Sequence, residues 1–201
     1  MRKNVFDPYK FDYKQYILET YNLTESPARI TDVDYTKNDA RLNATAATKV
    51  IGRSKLIGEY TYGSFTFDLY YEYEDDTAFY DLLDKRHPFI YLHHEIEDIK
   101  LDGLIGGMSV DIWKWKTMDG LAHHWMFDYV LPKYEFIMSD VVHTSKGERF
   151  WKYLIKEALS KKLKCAVANR KNNDIVPFDN IDKFESYYTD DIKDYQFIIL
   201  K

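Results

Sequence analysis

The residues best placed to do chemistry lie between positions 140 and 170 of this 201-residue chain. Asp140 and His143 pair a carboxylate with an imidazole, the two side-chain types that most often accept a proton near neutral pH. Thr144, Ser145, Lys146, Gly147, Glu148 and Arg149 follow directly, a polar stretch with one glycine and two cations. Backbone amides at the start of a helix, with Lys146 and Arg149 beside them, form a seat for phosphate. Residues 146–164 hold seven Lys or Arg against Glu148 and Glu157, a balance of +5 in a chain of formal net charge −5. An ordinary solvated helix face accounts for the same lysines. Likewise His143 also suits a partly exposed loop, and Asp140 a hydrogen bond that closes the turn.

Other chemistry is thinner. His93–His94 and His123–His124 fall on expected strands, where neighbours point to opposite faces and each pair offers one side chain to a site. With Glu95, Glu97 or Asp128 they supply metal-ligand types, but no ligand spacing demands a metal. Cys165 is the single cysteine, which excludes an internal disulfide and a cysteine zinc cluster, and its apolar neighbours mark it as a buried filler. There is no Gly-Lys-Ser/Thr phosphate loop, no nucleophile elbow and no Gly-x-Gly-x-x-Gly. The acidic total argues against broad nucleic-acid binding, while the basic helix and exposed aromatics leave a local contact open.

Positioning these groups takes a strand, a turn, a helix and a second strand. Phe136–Val142 is an apolar run that ends at the polar turn, and Cys165–Ala168 is a second one. Between them Phe150, Trp151, Leu154, Ile155, Ala158 and Leu159 recur at helical spacing, with Lys152, Lys156, Glu157 and Lys161 opposite. Thr144 or Ser145 can cap the start, and lysines 161, 162 and 164 crowd the end, where the dipole favours cations. The unit reads as a crossover of a parallel sheet.

The rest of the chain supplies the surroundings. Asp7-Pro8 opens a helix with Tyr9, Tyr13, Ile17 and Tyr21 on one stripe, a helical extension over residues 1–27. A strand is expected over residues 28–35, then a helix from Ala40 to about Val50, with Gly52 and Gly58 in a loop. Strands are expected over Phe65–Glu74, residues 89–97 and the alternating part of Gly103–Trp115, with a short helix over Thr77–Asp84. Gly106 and Gly107 suit an opening for a ligand or a bulge. Asp119-Gly120 reads as a hairpin turn, with residues 123–131 as the returning strand. A short helix over Ile181–Tyr188 and a final strand close the chain. A hydrophobic content of 45% is enough for a full core in one α/β domain. No apolar run reaches the ~18 residues of a membrane span, and the polar start is no signal peptide, so a soluble cytoplasmic protein without membrane contact is expected.

The order of strand and helix, antiparallel meander, strand, glycine turn, helix, strand, short helix and strand resembles the GNAT acyltransferase superfamily over residues 28–201. That resemblance implies an α/β, α+β-type mixed central sheet flanked by helices. Family members hold the acyl-CoA diphosphate on Gln/Arg-x-x-Gly-x-Gly/Ala after a bulged strand. The matching positions are Thr144, Gly147 and Arg149, of which only the glycine agrees. An arginine there either crowds the diphosphate or supplies its charge. By resemblance, the strand through Val141 and Val142 pairs with the pantetheine arm, and amides of Ser145 to Arg149, Lys146 and Glu148 included, hold the diphosphate. His143 or Asp140 then takes the proton of the amine. Asn169 matches an asparagine common at the end of the following strand, and Tyr187 or Tyr188 a tyrosine near the leaving thiol. The implied reaction is N-acyl transfer, such as N-acetyltransferase chemistry, from acetyl-CoA or another acyl-CoA to an amine acceptor. The turn HTSKGERFW also resembles divergent GNAT-like proteins of bacterial viruses, some without catalysis. The alternative is therefore a non-catalytic binding protein that engages a host protein or nucleic acid through the basic helix 146–164.

Overall fold

The computed structural model describes residues 32–33, 37–101, 103–115, 118–140, 145–171, 174–187 and 195–201. The extension over residues 1–27 lies outside them. The chain runs β1 (Asp32–Val33), α1 (Lys37–Arg53), β2 (Lys55–Tyr62), β3 (Phe65–Glu74), β4 (Thr77–Asp84), β5 (Ile90–Leu101) and β6 (Leu104–Trp115). A helical run follows, α2 (Leu121–Trp125) continuing through a π turn at Met126–Val130 and a 3-10 turn at Leu131–Lys133. Then come β7 (Phe136–Ser139), α3 (Ser145–Ser160), β8 (Lys164–Asn169), β9 (Asp174–Phe178), α4 (Ile181–Glu185) and β10 (Tyr195–Leu200). The strands form one ten-stranded mixed sheet in the order β2-β3-β4-β5-β6-β7-β10-β8-β9, with β1 beside the end of β6.

Hairpins build the first half. The expected helix over Thr77–Asp84 is strand β4 instead. Asp75 and Asp76 both take left-handed conformations, φ 48° and 61°, the two-residue turn that matches strand twist. The following residues then alternate, Ala78, Tyr80 and Leu82 to one face and Asp81 and Leu83 to the other, all buried. β4 and β5 slip by one residue at Tyr91, since Leu82 pairs with Leu92 and Leu83 with Ile90. Asn43 of α1 satisfies that slip: its Oδ1 accepts from Ile90 N at 2.7 Å and its Nδ2 donates to Ile90 O at 2.9 Å. Ala46, Ala47 and Val50 then pack on Leu83, Ile90 and Trp113, so α1 covers one face of the sheet. Helix α1 runs past the expected loop to include Gly52, and Gly58 lies in β2.

Residues 123–131 do not return as a strand. Gly120, at φ 76°, turns the chain into α2, and Leu121, Ala122, Trp125, Met126 and Val130 are buried at helical spacing. This helical run lets β7 lie parallel to β6, which a tight hairpin forbids. The crossover through α3 also occurs, but β8 is not the neighbour of β7. Strand β10 sits between them, antiparallel to both. Phe150, Trp151, Leu154, Ile155 and Ala158 of α3 are buried on the face opposite α1, in one cluster with Trp125 and Phe197.

Gly106 and Gly107 serve packing. A Cβ on Gly106 would lie 2.2 Å from the ring of Phe136, its partner in the β6–β7 ladder, and one on Gly107 2.7 Å from Ile96. Phe136 is fully buried and cannot swing aside. Gly106→Ala is expected to cost about 1–3 kcal/mol by overpacking, read by urea unfolding. A neutral result would mean the ring has room to move. No helix among the described residues is long and apolar enough to cross a membrane.

Candidate functional site

Three features of the strand–helix step from β6 to β7 come together. First, β6 is bulged at Val110, because Glu95 pairs with Asp111 and Ile96 with Ser109. Second, β6 pairs with β7 only from Gly106 to Ser109, although it runs on to Trp115, and β1 rejoins that margin at Lys114 and Trp115. The β5 ladder continues past Ser109 through Asp111, Ile112 and Trp113 to Lys114. Third, the turn into α2 is pinned from outside. Tyr62 Oη donates to the Asp119 carbonyl at 2.5 Å and would stand 2.7 Å from any Cβ at Gly120, which keeps the position for glycine.

A cleft of about 920 Å³ lies between this turn and α3, walled by Lys114, Gly120, Ala122, Arg149, Tyr153 and Lys156. Its far end holds Glu157, which pairs with Lys161 Nζ at 2.7 Å and His123 Nε2 at 3.2 Å. Four Lys or Arg against one glutamate leave the lining positive. An anion is the natural occupant. Lys114 is buried in the wall, with Nζ 3.6 Å from the fully exposed Asp119 carboxylate, so its charge faces the cleft mouth.

The adjacent histidines of β5 do face opposite sides, and their environments are opposed. On the α1 face, His93 lies between Asp81 and Glu95, with Nδ1–Oδ1 2.7 Å and Nε2–Oε1 3.2 Å. Burial alone would lower its pKa, but the Asp81 charge and the hydrogen bonds to both carboxylates push it up to about 10. On the other face, Trp125 Nε1 donates to His94 Nδ1 at 3.0 Å, so the proton of His94 sits on Nε2, 2.9 Å from Ser109 Oγ. Burial, then the charge of His93, holds the pKa of His94 well below the usual histidine value. His123 and His124 stand on α2. His123 faces the cleft, while His124 Nδ1 meets Tyr60 Oη and Asp128 Oδ2, both at 2.8 Å. Among the described residues, no group of three His, Cys, Asp or Glu is arranged to hold a metal ion.

The candidates named from sequence scatter around this cleft. Arg149 lines it, in the second turn of α3. Ser145, Lys146, Gly147 and Glu148 are already helical, so Gly147 is a buried helix residue and no turn glycine. Asp140 is half-buried just past β7, where its carbonyl accepts from Ser139 Oγ at 2.9 Å. Asn169 ends β8 and accepts from Lys171 N at 2.9 Å. Tyr187 packs on the ring of Tyr195 at 5.2 Å. Val141, Val142, His143, Thr144 and Tyr188 lie outside the described residues. Lys114, Ala122, Tyr153 and Asp81 are new to the site, whereas the sequence offers His93 and Glu95 only as metal-ligand types and Gly120 only as a hairpin turn. No protein-family model, curated protein or solved structure matches the chain.

Proposed function

We propose that the protein is a GNAT-like N-acyltransferase that takes acyl-CoA in the basic cleft and transfers the acyl group to an amine. The observation that carries this reading is the parallel pair β6–β7, whose ladder stops at Ser109 and Ser139 beside a glycine turn and a positive cleft. The cofactor turn accordingly moves one unit earlier than the sequence suggests. Thr117-Met118-Asp119-Gly120-Leu121-Ala122 carries the Gly-x-Ala half of the acyl-CoA motif, after a bulged strand, with threonine at its first position. Lys114, Arg149 and Lys156 then supply charge to the diphosphate. Tyr153, 65% exposed in the cleft wall, is the phenol that protonates the leaving thiolate.

Acetyl-CoA titration by calorimetry tests this. Arg149→Ala/Lys156→Ala should weaken binding about tenfold or more, since hydrogen bonds to charged groups contribute roughly 1.5–3 kcal/mol before solvent screening. Both side chains are exposed, so the ligand-free protein should melt as before. No heat from saturating acetyl-CoA defeats the reading. Salt-sensitive binding of a polyanion without CoA binding would favour the non-catalytic alternative, with α3 as its contact surface.

A further inference from the structure

A second groove, of about 700 Å³, opens where α3 hands the chain to β8, and no described residue lines both it and the basic cleft. Its volume falls within the roughly 300–1,000 Å³ of small-molecule sites. Leu159 and Leu163 around the end of α3, Pro177 and Phe178 of β9 and Leu200 of β10 give it apolar walls. Lys162, Lys164 and Lys183, all exposed, stand in the lining against one acidic residue, Asp179. The C-terminal dipole of α3 offsets only about half a charge, so the groove stays positive. Satisfying the helix end does not require these lysines. Lys161 N donates to Glu157 O at 2.9 Å, Lys162 N to Leu159 O at 3.0 Å and Leu163 N to Ala158 O at 3.0 Å. The last two bonds make a Schellman end, whose left-handed residue is usually glycine. Here that residue is Lys162, at φ 61°, a conformation that a side chain disfavours. Neither Lys162 nor Lys164 pairs with a carboxylate among the described residues. Lys183 Nζ donates to the Pro177 carbonyl at 3.2 Å, which fixes its ammonium at the wall with two further N–H groups to offer.

We propose that this groove binds a free fatty acid, its alkyl chain against the apolar walls and its carboxylate at Lys162, Lys164 and Lys183. The two halves of the lining select the two halves of the ligand. Apolar walls give nothing to a small hydrated anion, and the lysines give nothing to a neutral alkane. An alkyl chain with an anionic head uses both, through burial of methylenes and charge-assisted hydrogen bonds to the head. The lysine at the left-handed position then has a reason that the fold does not supply, since glycine would end the helix with less strain. The inference stands apart from the acyltransferase reading, because the cavities are separate.

Calorimetry on the full chain tests it, with dodecanoate below its micelle concentration as the probe. Wild type should show one saturable site. Octanoate should bind about tenfold or more weakly, because its shorter chain removes less apolar surface from water. Dodecanol and dodecyltrimethylammonium, with the same chain and no negative head, should also lose about tenfold or more. Lys162→Gly combined with Lys164→Gln should weaken dodecanoate about tenfold or more, in the range of lost hydrogen bonds to a charged group. Lys162→Gly alone should melt no lower than wild type, so that its share of the loss belongs to the charge and not to the helix end. If it folds poorly, Lys164→Gln carries the test. Arg149→Ala/Lys156→Ala, which alters only the other cleft, should bind dodecanoate as wild type does. No saturable binding, equal affinity for dodecanol, full affinity in the lysine variants, or loss of binding in Arg149→Ala/Lys156→Ala each overturns the proposal.

Discussion

Asp81→Ala is expected to remove about 3–5 kcal/mol of unfolding free energy near pH 6, because it strands His93 in a buried site without its closest counter-charge. The pH dependence makes the cause visible. The folded-state pKa of His93 is raised to about 10, so its contribution is complete below the unfolded value near 6.5 and is lost as pH rises through 10. The cost of Asp81→Ala should therefore shrink steadily between about pH 6 and pH 10 in urea unfolding. His94 works the other way. Its folded-state pKa is depressed, so it stays neutral in the fold and stability falls as pH drops below the unfolded value. The two neighbours thus give the wild type opposing slopes on either side of about pH 6.5. An Asp81→Ala cost that does not change with pH would show that His93 carries no charge in the fold.

Trp151→Ala is expected to cost about 3–5 kcal/mol, a fall in Tm on the order of 10 °C for a chain of this size. Trp151 is 2% exposed, next to Phe150 at 6.1 Å with ring planes 78° apart, in the cluster that seats α3 on the sheet. Truncation leaves a cavity under the helix that carries Arg149, Tyr153 and Lys156, so acetyl-CoA binding should weaken along with stability. Lys156→Ala, on the exposed face of the same helix, should stay within about 0.5 kcal/mol of wild type. Equal effects from the two would mean that a different face of α3 meets the sheet.

Where periodicity was long and backed by one buried face, the sequence was readable. The stripe of α3 is buried as its spacing demands, and β3 and most of β5 and β6 lie where alternation places them. Short aromatic runs were not readable in the same way. Thr77–Asp84 has residues that suit either structure, and only the left-handed pair Asp75–Asp76 decides it as a strand. Residues 123–131 contain aromatic and β-branched side chains, yet the helical recurrence of Leu121, Ala122, Trp125, Met126 and Val130 was present one step earlier. Gly120 therefore opens a helix, where a hairpin turn is expected from Asp119-Gly120. The insertion of β10 between β7 and β8, and the meeting of Asp81 with His93, depend on pairing across the sheet and leave no local trace.

The bulge of β2 and the proline of β9 bear on how molecules of this protein meet one another. Strand β2 ends one side of the sheet, and its register with β3 slips between Leu56 and Gly58. Strand β9 ends the other and carries Pro177, which has no amide hydrogen to donate. A wide sheet with regular margins would template the addition of further strands, especially with Leu56, Ile57 and Ile175 exposed at its borders. At Ile57 the spacing of outward amides and carbonyls is broken, and at Pro177 a donor is missing, so an incoming strand finds no continuous ladder on either side. Both irregularities act as stops against fibre-like growth.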